Sequence, residues 1–415
     1  MALKSYRPKG TQDFVPPASE VKHIVEMKFR ELASLYGYRE IVTPTFEHTE
    51  VFLKSSGAAS DIVTKEMYTF NDRAGRSLTL RPEGTPGVVR AVLENRISLP
   101  CRLFYIGPCF RYSKPQKGRY REFYQLGVEA LGEASPLIDA ETIQFGITFF
   151  EKIGITNCTV QVNSIGCRVC RPVYREKLVS FLQKEREHLC ADCNERIQLN
   201  PLRVFDCKNP SCQKRLARAP LPKENLCPEC ANHFQVVIER IKEMGIPWEN
   251  NPYLVRGLDY YNRTTFEFIS PVLGAQNSIG GGGRYDYLFE DFGGNQVPAI
   301  GLAIGLERTM LALPTPAHRR RQMVVVIRAS EKELKPAIEL LNRLRDEGIS
   351  AQIFYDAPRL RRQFALADSL NALLAIVVGE DELKEGVYSV KNLNTGEQVT
   401  LPQKELIPWL KKLLG

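Results

Sequence analysis

The sequence predicts an α+β protein of several domains, and three observations carry that expectation. Helical and strand patterns mix over 1–165 and resume over 251–314, and two of the strands flank a basic loop, as in an antiparallel hairpin. Between these stretches, 166–250 holds eight of the chain's 11 cysteines in four close pairs. From 323 to 415, strands and helices alternate as βαβαβ units do, which marks a separate small α/β domain.

Taken in order, 19–37 carries apolar residues at Val21, Ile24, Val25, Phe29, Leu32, Ala33 and Tyr36, a helical spacing that Ser19 would cap and Gly37 would end. A strand over 38–43 stops at Pro44. Residues 79–85 read as a strand entering a turn, followed by a helix over 86–94. Strands at 103–106 and 123–129 enclose the polar loop 111–122. The cysteine-bearing stretch contains helices over 172–187 and 230–244 around a proline-rich middle. Apolar strands resume at Leu254, and Thr265, Phe266, Glu267 and Phe268 alternate as a strand does. A glycine turn follows, Gly280 to Gly283, and would present Arg284. A short strand from Ala299 feeds a buried helix, and 315–322 is a basic, proline-containing linker. The last domain reads strand 323–328, helix 331–347, strand 351–355, helix 358–372, strand 373–378, a hairpin near Asn394 and Gly396, and a terminal helix.

A hydrophobic fraction of 43% and a charged fraction of 25% are those of an ordinary globular protein. The richest apolar run, 372–379, is too short to span a bilayer, and the first ten residues lack the apolar core of a secretion signal, so a cytoplasmic location and no membrane partner are expected. The net charge of +8 fits a polyanionic partner without requiring one. Cysteines of a cytoplasmic chain are poor candidates for disulfides. The spacings Cys167/Cys170, Cys190/Cys193, Cys207/Cys212 and Cys227/Cys230 let two thiolates reach one tetrahedral ion, and two pairs complete a four-sulfur site. Pairing in sequence order gives two zinc sites. Alternating pairing, or reduced thiols without metal, would satisfy the same spacings.

Arg256 and Arg263 flank Asp259, Tyr260 and Tyr261, and together with the glycine segment they suggest a pocket for a small polar ligand and a phosphate. The run 280–283 lacks the lysine and Ser/Thr of a P-loop. These segments, with Gly37 to Pro44, Leu80 to Thr85, Phe110–Arg111 through Glu129, and Gly305 to Arg308, resemble the histidyl-tRNA synthetase family of class II aminoacyl-tRNA synthetases over essentially the whole chain. The resemblance implies an antiparallel-sheet catalytic core (1–165 and 251–314), a helical cysteine-rich insertion (166–250) and a C-terminal α/β anticodon-binding domain (323–415). It further implies a homodimer joined through the first motif, with ATP, L-histidine and tRNA(His) as substrates. A catalytically silent paralogue, resembling the histidine-sensing regulatory subunit of ATP phosphoribosyltransferase, is the alternative.

The chemistry implied is attack of a carboxylate on the α-phosphorus of ATP. Two anions meet, so fixed cations must converge there, and arginine suits this because it stays charged and donates bidentately. By resemblance, Arg111 holds the α-phosphate, and Arg308 packs over adenine and holds the γ-phosphate. Phe123 stacks adenine, Arg119 is a further ATP contact, and Arg256 stands where related enzymes place a metal ion. Glu83, Thr85, Gln125 and Glu129 resemble residues around the histidine ammonium and ring, and Arg111 and Arg256 are counted with the histidine-binding residues. Tyr260, Tyr261 and Tyr285 would close on the imidazole, and Tyr287 could narrow one side of the pocket. In the family the loop 113–121 meets the acceptor end of tRNA, with Gln116 a candidate reader; an ATP lid is the other reading of that loop. Arg359, Arg361, Arg362 and Gln363 could face the anticodon. Mg²⁺ would accompany ATP. Zn²⁺ would be structural, because many family members have the insertion without these thiols.

Overall fold

The computed structural model describes residues 6–56, 62–274, 277–314, 321–357 and 359–414. Residues 315–320, most of the expected linker, and Pro358, the expected start of a helix, lie outside them. The chain forms two compact units, Met1–Pro314 and Thr315–Gly415.

An eight-stranded sheet organises the first unit. Its order is Arg39–Glu40, Cys101–Phe110, Glu122–Leu131, Ala299–Gly305, Ser278–Arg284, Asn262–Ile269, Thr159–Ser164 and Trp248–Asn250. The six inner strands are antiparallel neighbours, and only the two short edge strands pair in parallel. Strand periodicity sorts their side chains onto two faces. Leu126, Val128, Ala130, Phe266, Phe268, Ile300, Leu302 and Ile304 enter the main core, which also takes residues of helices Ala18–Leu35, Pro136–Lys152 and Pro228–Glu243. Phe145 anchors it, with the rings of Phe29, Tyr36 and Tyr38 at centroid distances of 5.4, 5.2 and 5.7 Å. Truncating a phenylalanine packed in this way costs about 3–5 kcal/mol. The intervening residues Gln125, Gly127, Glu129, Thr265, Glu267 and Gly301 occupy the opposite face.

The glycine segment is a strand rather than a turn, and sterics explain it. A Cβ at Gly282 would lie 2.0 Å from the Gly301 carbonyl oxygen, and one at Gly283 would lie 2.6 Å from that of Thr264. The glycines therefore let neighbouring backbones approach; they do not form a phosphate loop. The first helix also differs from expectation. It begins at Ala18 after Pro17, which makes no side-chain cap, so Ser19 lies inside it, and Ile24 is exposed. The expected strand over 38–43 shrinks to Arg39–Glu40, and Leu254 belongs to a loop before the strand that starts at Asn262.

The cysteine-bearing segment joins strands Thr159–Ser164 and Trp248–Asn250. Helices Cys170–Lys184 and Pro228–Glu243 enclose short helices Ala191–Leu199 and Pro210–Leu216 and several 3₁₀ turns. Its own small core gathers Tyr174, Leu178, Leu182, Ile197, Val204 and Leu216 with Cys193 and Cys212. The second unit is a five-stranded sheet ordered Ala351–Ile353, Arg321–Arg328, Ala372–Val378, Val387–Asn392 and Gln398–Pro402. Its first three strands are parallel and its last two are antiparallel.

Candidate active site

Two cavities adjoin on the sheet face opposite the main core. The outer one, about 320 Å³, is lined by Arg111, Arg119, Phe123, Arg256, Glu267, Ser278, Glu307 and Arg308, among others. The inner one, about 140 Å³, is lined by Glu83, Thr85, Arg111, Gln125, Arg256, Tyr261 and Tyr285 with apolar neighbours. Arg111, Arg256 and Gly257 line both. Three arginines from distant stretches thus share one cleft, two of them at the junction of its compartments.

Each arginine is held from behind. Arg111, one residue past a long strand, donates Nε to the Pro82 carbonyl at 2.8 Å and lies 5.3 Å from the Phe123 ring centroid. Arg308, on helix Leu306–Ala312, donates to the carbonyls of Ser278 at 2.7 Å and Gly118 at 3.2 Å. Burial lowers its pKa, and neighbouring Arg119 adds to this. Arg256 pairs with Glu267 at 2.9 Å, and Ser278 donates to the same carboxylate oxygen at 2.7 Å. Burial opposes the charge on Arg256, but Glu267, Tyr261 and Tyr260 outweigh it and its pKa is raised. Its Nε is buried with no hydrogen-bond partner among the described residues.

The inner compartment is a network of carboxylates and phenols. Tyr260 donates to Glu83 at 2.7 Å. Thr85 donates to one oxygen of Glu129 at 2.6 Å, and Tyr285 donates to the other. Burial raises the Glu129 carboxyl to about 8 despite both donors. Gly301 makes room for it, since a Cβ there would lie 1.7 Å from a Glu129 oxygen. Gln125 accepts from the Gly84 amide at 3.2 Å and from the Cys109 thiol at 3.3 Å. Tyr260 and Glu129 do not line the inner cavity; they lie behind its wall and brace Glu83, Thr85 and Tyr285.

Other expected residues are placed differently. Gln116 lines a separate cavity of about 330 Å³ with Lys117, Gly118 and Leu311, on which Arg308 also borders. Arg119 forms an ion pair with Glu66 at 3.0 Å. Arg284 is fully buried, on Asp139 and Asp286 and the carbonyls of Glu133 and Ser135; it is a core strut and is not presented to the pocket. Tyr287 lines neither cavity and stacks under Arg168 at 4.1 Å. Gln363 is buried and exchanges hydrogen bonds with the Arg328 backbone at 3.1 and 2.9 Å, so it cannot face a nucleic acid as expected, whereas Arg359, Arg361 and Arg362 are exposed. Two acids escaped the sequence reading. Glu267 is the ionic partner of Arg256; its signal was a charge between Phe266 and Phe268, the two phenylalanines of the alternating run. Glu307 accepts the Tyr124 amide at 3.0 Å, and burial pushes its carboxyl up to about 7.

The cysteines form two groups, Cys167, Cys170, Cys227 and Cys230, and Cys190, Cys193, Cys207 and Cys212. The pairing is nested, first pair with fourth and second with third, which corrects both the sequential and the alternating expectation. Cys167 Sγ lies 3.8 Å from those of Cys170 and Cys227, Cys170 Sγ lies 3.9 Å from that of Cys230, and Cys190 Sγ lies 3.8 Å from that of Cys207. Four sulfurs about 2.3 Å from one tetrahedral zinc stand about 3.8 Å apart, so the spacing fits that ion. Backbone amides of Val169 and Asn209 donate to Cys167 and Cys207 at 3.4 Å, and, against burial, the amide bonds help lower the pKa of the Cys167 thiol.

Comparison with known proteins points to one family. The family model described as "Histidyl-tRNA synthetase" matches residues 10–309, and the one described as "Anticodon binding domain" matches 323–413. The histidine–tRNA ligase of Moorella thermoacetica is 46% identical over 414 residues, covering 98% of both chains. That of Clostridioides difficile is 43% identical over 415 residues, covering 98% of this chain and 99% of the relative. A crystal structure of apo histidyl-tRNA synthetase from S. aureus has a TM-score of 0.80 at 33% identity, covering 98% of this chain and 100% of that one.

Proposed function

The chain belongs to the histidyl-tRNA synthetase family, and we propose that it works as a histidine–tRNA ligase with ATP in the outer cavity and L-histidine in the inner one. The observation that carries this division is the shared position of Arg111 and Arg256 between the two cavities. A histidine carboxylate oxygen attacks the α-phosphorus of ATP, and pyrophosphate leaves. Charge gathers at the phosphorus where the two cavities meet, and the two guanidiniums stabilise it there without reorganising. Arg308 holds the phosphate tail, Phe123 stacks adenine and Arg119 adds charge at the rim. No side chain forms a covalent intermediate, so orientation and electrostatics supply the catalysis.

Specificity resides in the inner cavity. Glu83, braced by Tyr260, receives a cation or ring N–H. Thr85, Gln125, Tyr261 and Tyr285 offer hydroxyl and amide partners, and an amino acid lacking the ring nitrogens would leave them unpaired. In the second half-reaction, the terminal ribose hydroxyl of tRNA(His) attacks the adenylate carbonyl and AMP leaves. Gln116 and its basic loop are the proposed contact for the acceptor end, and Arg359, Arg361 and Arg362 for the anticodon. Mg²⁺ bound with ATP would supply further positive charge at the phosphates. Each four-cysteine group would hold one structural zinc. A second copy of the chain is the proposed partner of Leu35, just before the first motif, and Val42, within it, which are 76% and 84% exposed. Eleven cysteines, none of them in a disulfide, fit a reducing, cytoplasmic setting.

The test is pyrophosphate exchange with each amino acid in turn. Histidine alone should support exchange; exchange with none would favour the silent regulatory paralogue, which is the less supported reading.

A further inference from the structure

The loop 251–261 bears Arg256, Tyr260 and Tyr261, yet it is not held by the sheet alone. Arg203 donates Nη1 to the Gly257 carbonyl at 3.2 Å, Asn200 donates Nδ2 to Asp259 at 2.5 Å, and Arg171 donates Nη1 to the Tyr261 carbonyl at 2.9 Å. All three side chains belong to the cysteine-bearing insertion. Their positions relative to the thiols are informative. Arg171 directly follows Cys170. Asn200 and Arg203 lie between the two halves of the second group, after Cys190 and Cys193 and before Cys207 and Cys212. That group therefore closes the segment 190–212 into a knot. Helix Ala191–Leu199 leads out of one cysteine pair, and the 3₁₀ turn Pro201–Asp206 leads into the next. Within the knot Arg203 is fixed further, by Asp206 at 2.6 Å on its Nε and by Arg196, which donates to its carbonyl at 3.1 Å.

We infer that Asn200 and Arg203 are positioning residues for histidine, held in place by the second four-cysteine group, so that the integrity of this group sets the affinity for histidine. The inference rests on the reading that loop 256–261 receives histidine. It gives the second sulfur group a role beyond stabilising the insertion. A guanidinium on the Gly257 carbonyl fixes the backbone beside Arg256, and an amide on the Asp259 carboxylate tethers the side chain next to Tyr260. If the knot opens, the loop loses both restraints while Arg308 and Phe123 stay in place. Gly257 and Arg256 also border the outer cavity, so ATP binding, which keeps Arg308 and Phe123, should suffer less than histidine binding. Such a split separates positioning from general destabilisation.

The test uses the full chain with its metal. Arg203→Ala should raise the histidine KM about tenfold, the loss expected for one hydrogen bond from a charged donor, with a smaller rise in the ATP KM and an unchanged zinc content. Arg203→Lys should recover part of this, and Asn200→Ala should shift the histidine KM in the same direction. A readout independent of activity is amide hydrogen exchange over 257–261, which should quicken in Arg203→Ala and in Cys193→Ser, a variant expected to lose zinc from the second group only. Wild-type histidine KM in both Arg203→Ala and Asn200→Ala would overturn the inference, as would unchanged exchange over 257–261 after that zinc is lost. Should Arg203→Ala fail to fold, Asn200→Ala and Cys193→Ser decide by the same criteria. Absence of histidine-dependent pyrophosphate exchange in the unmodified protein would instead refute the assignment of the loop.

Discussion

The outer and inner cavities share Arg111 and Arg256 but are built on different physics. The outer wall carries four arginines, each backed by a carbonyl, an ion pair or an aromatic ring, and it suits polyphosphate through charge alone. The inner wall holds its acids and phenols in mutual hydrogen bonds in a space less than half as large. Charge convergence attracts any triphosphate; a closed polar network rejects whatever leaves its groups unpaired. On the proposed function, catalysis and nucleotide binding fall to one compartment and choice of amino acid to the other, with the two shared arginines joining them.

That division breaks if substitutions fail to sort by compartment. The largest effect is expected at Arg256: Arg256→Ala should lower kcat/KM for both substrates by about 10²–10³, the usual loss for a preorganised transition-state donor. Next come the residues of single compartments. Glu83→Gln should weaken histidine about tenfold or more with the ATP KM unchanged, and Arg308→Ala should do the reverse, both read in pyrophosphate exchange.

A pH effect should follow from Glu129. Its folded pKa of about 8 lies above the ordinary 4.5, so the native state holds the extra proton between those values. Its stabilising contribution is then complete below 4.5 and is lost as pH rises through about 8. Glu129→Gln cannot ionise and should flatten the fall in unfolding midpoint between about pH 6 and 8 in the substrate-free protein. An identical fall in both proteins would show that burial does not hold this carboxyl neutral. The smallest effect is expected at Tyr287, outside both cavities: Tyr287→Gly should leave the histidine KM within about twofold.

Much of this was legible because strands write their faces into sequence. The alternation of Thr265, Phe266, Glu267 and Phe268 marked a strand, and the structure places both phenylalanines in the core and Glu267 in the cavity wall, while alternating strands and helices marked the second unit as a separate α/β domain. Local signals misled where distant backbone decided the outcome. Ser19 matches a helix cap by type, but the helix starts one residue before it. The glycines at 280–283 suggest a turn by composition, yet they form a central strand because adjacent strands approach too closely for a Cβ. Arg284 and Gln363 carry polar groups that suggest ligands, and both are consumed by buried backbone and carboxylate partners. Cysteine spacing identified thiolate pairs but could not choose between partners, because nesting is set by how the insertion folds back between Thr159–Ser164 and Trp248–Asn250. Glu267 was visible only as an unexplained charge until Arg256 stood beside it.

The most direct measurement is single-turnover formation of histidyl-adenylate by Arg256→Ala with histidine and ATP both saturating. If Arg256 stabilises charge at the junction of the cavities, the rate stays about 10²–10³ below that of the unmodified enzyme even at saturation. Recovery of the full rate at high histidine would mean that Arg256 only binds substrate, and the proposed meeting of the two compartments at its guanidinium would be wrong.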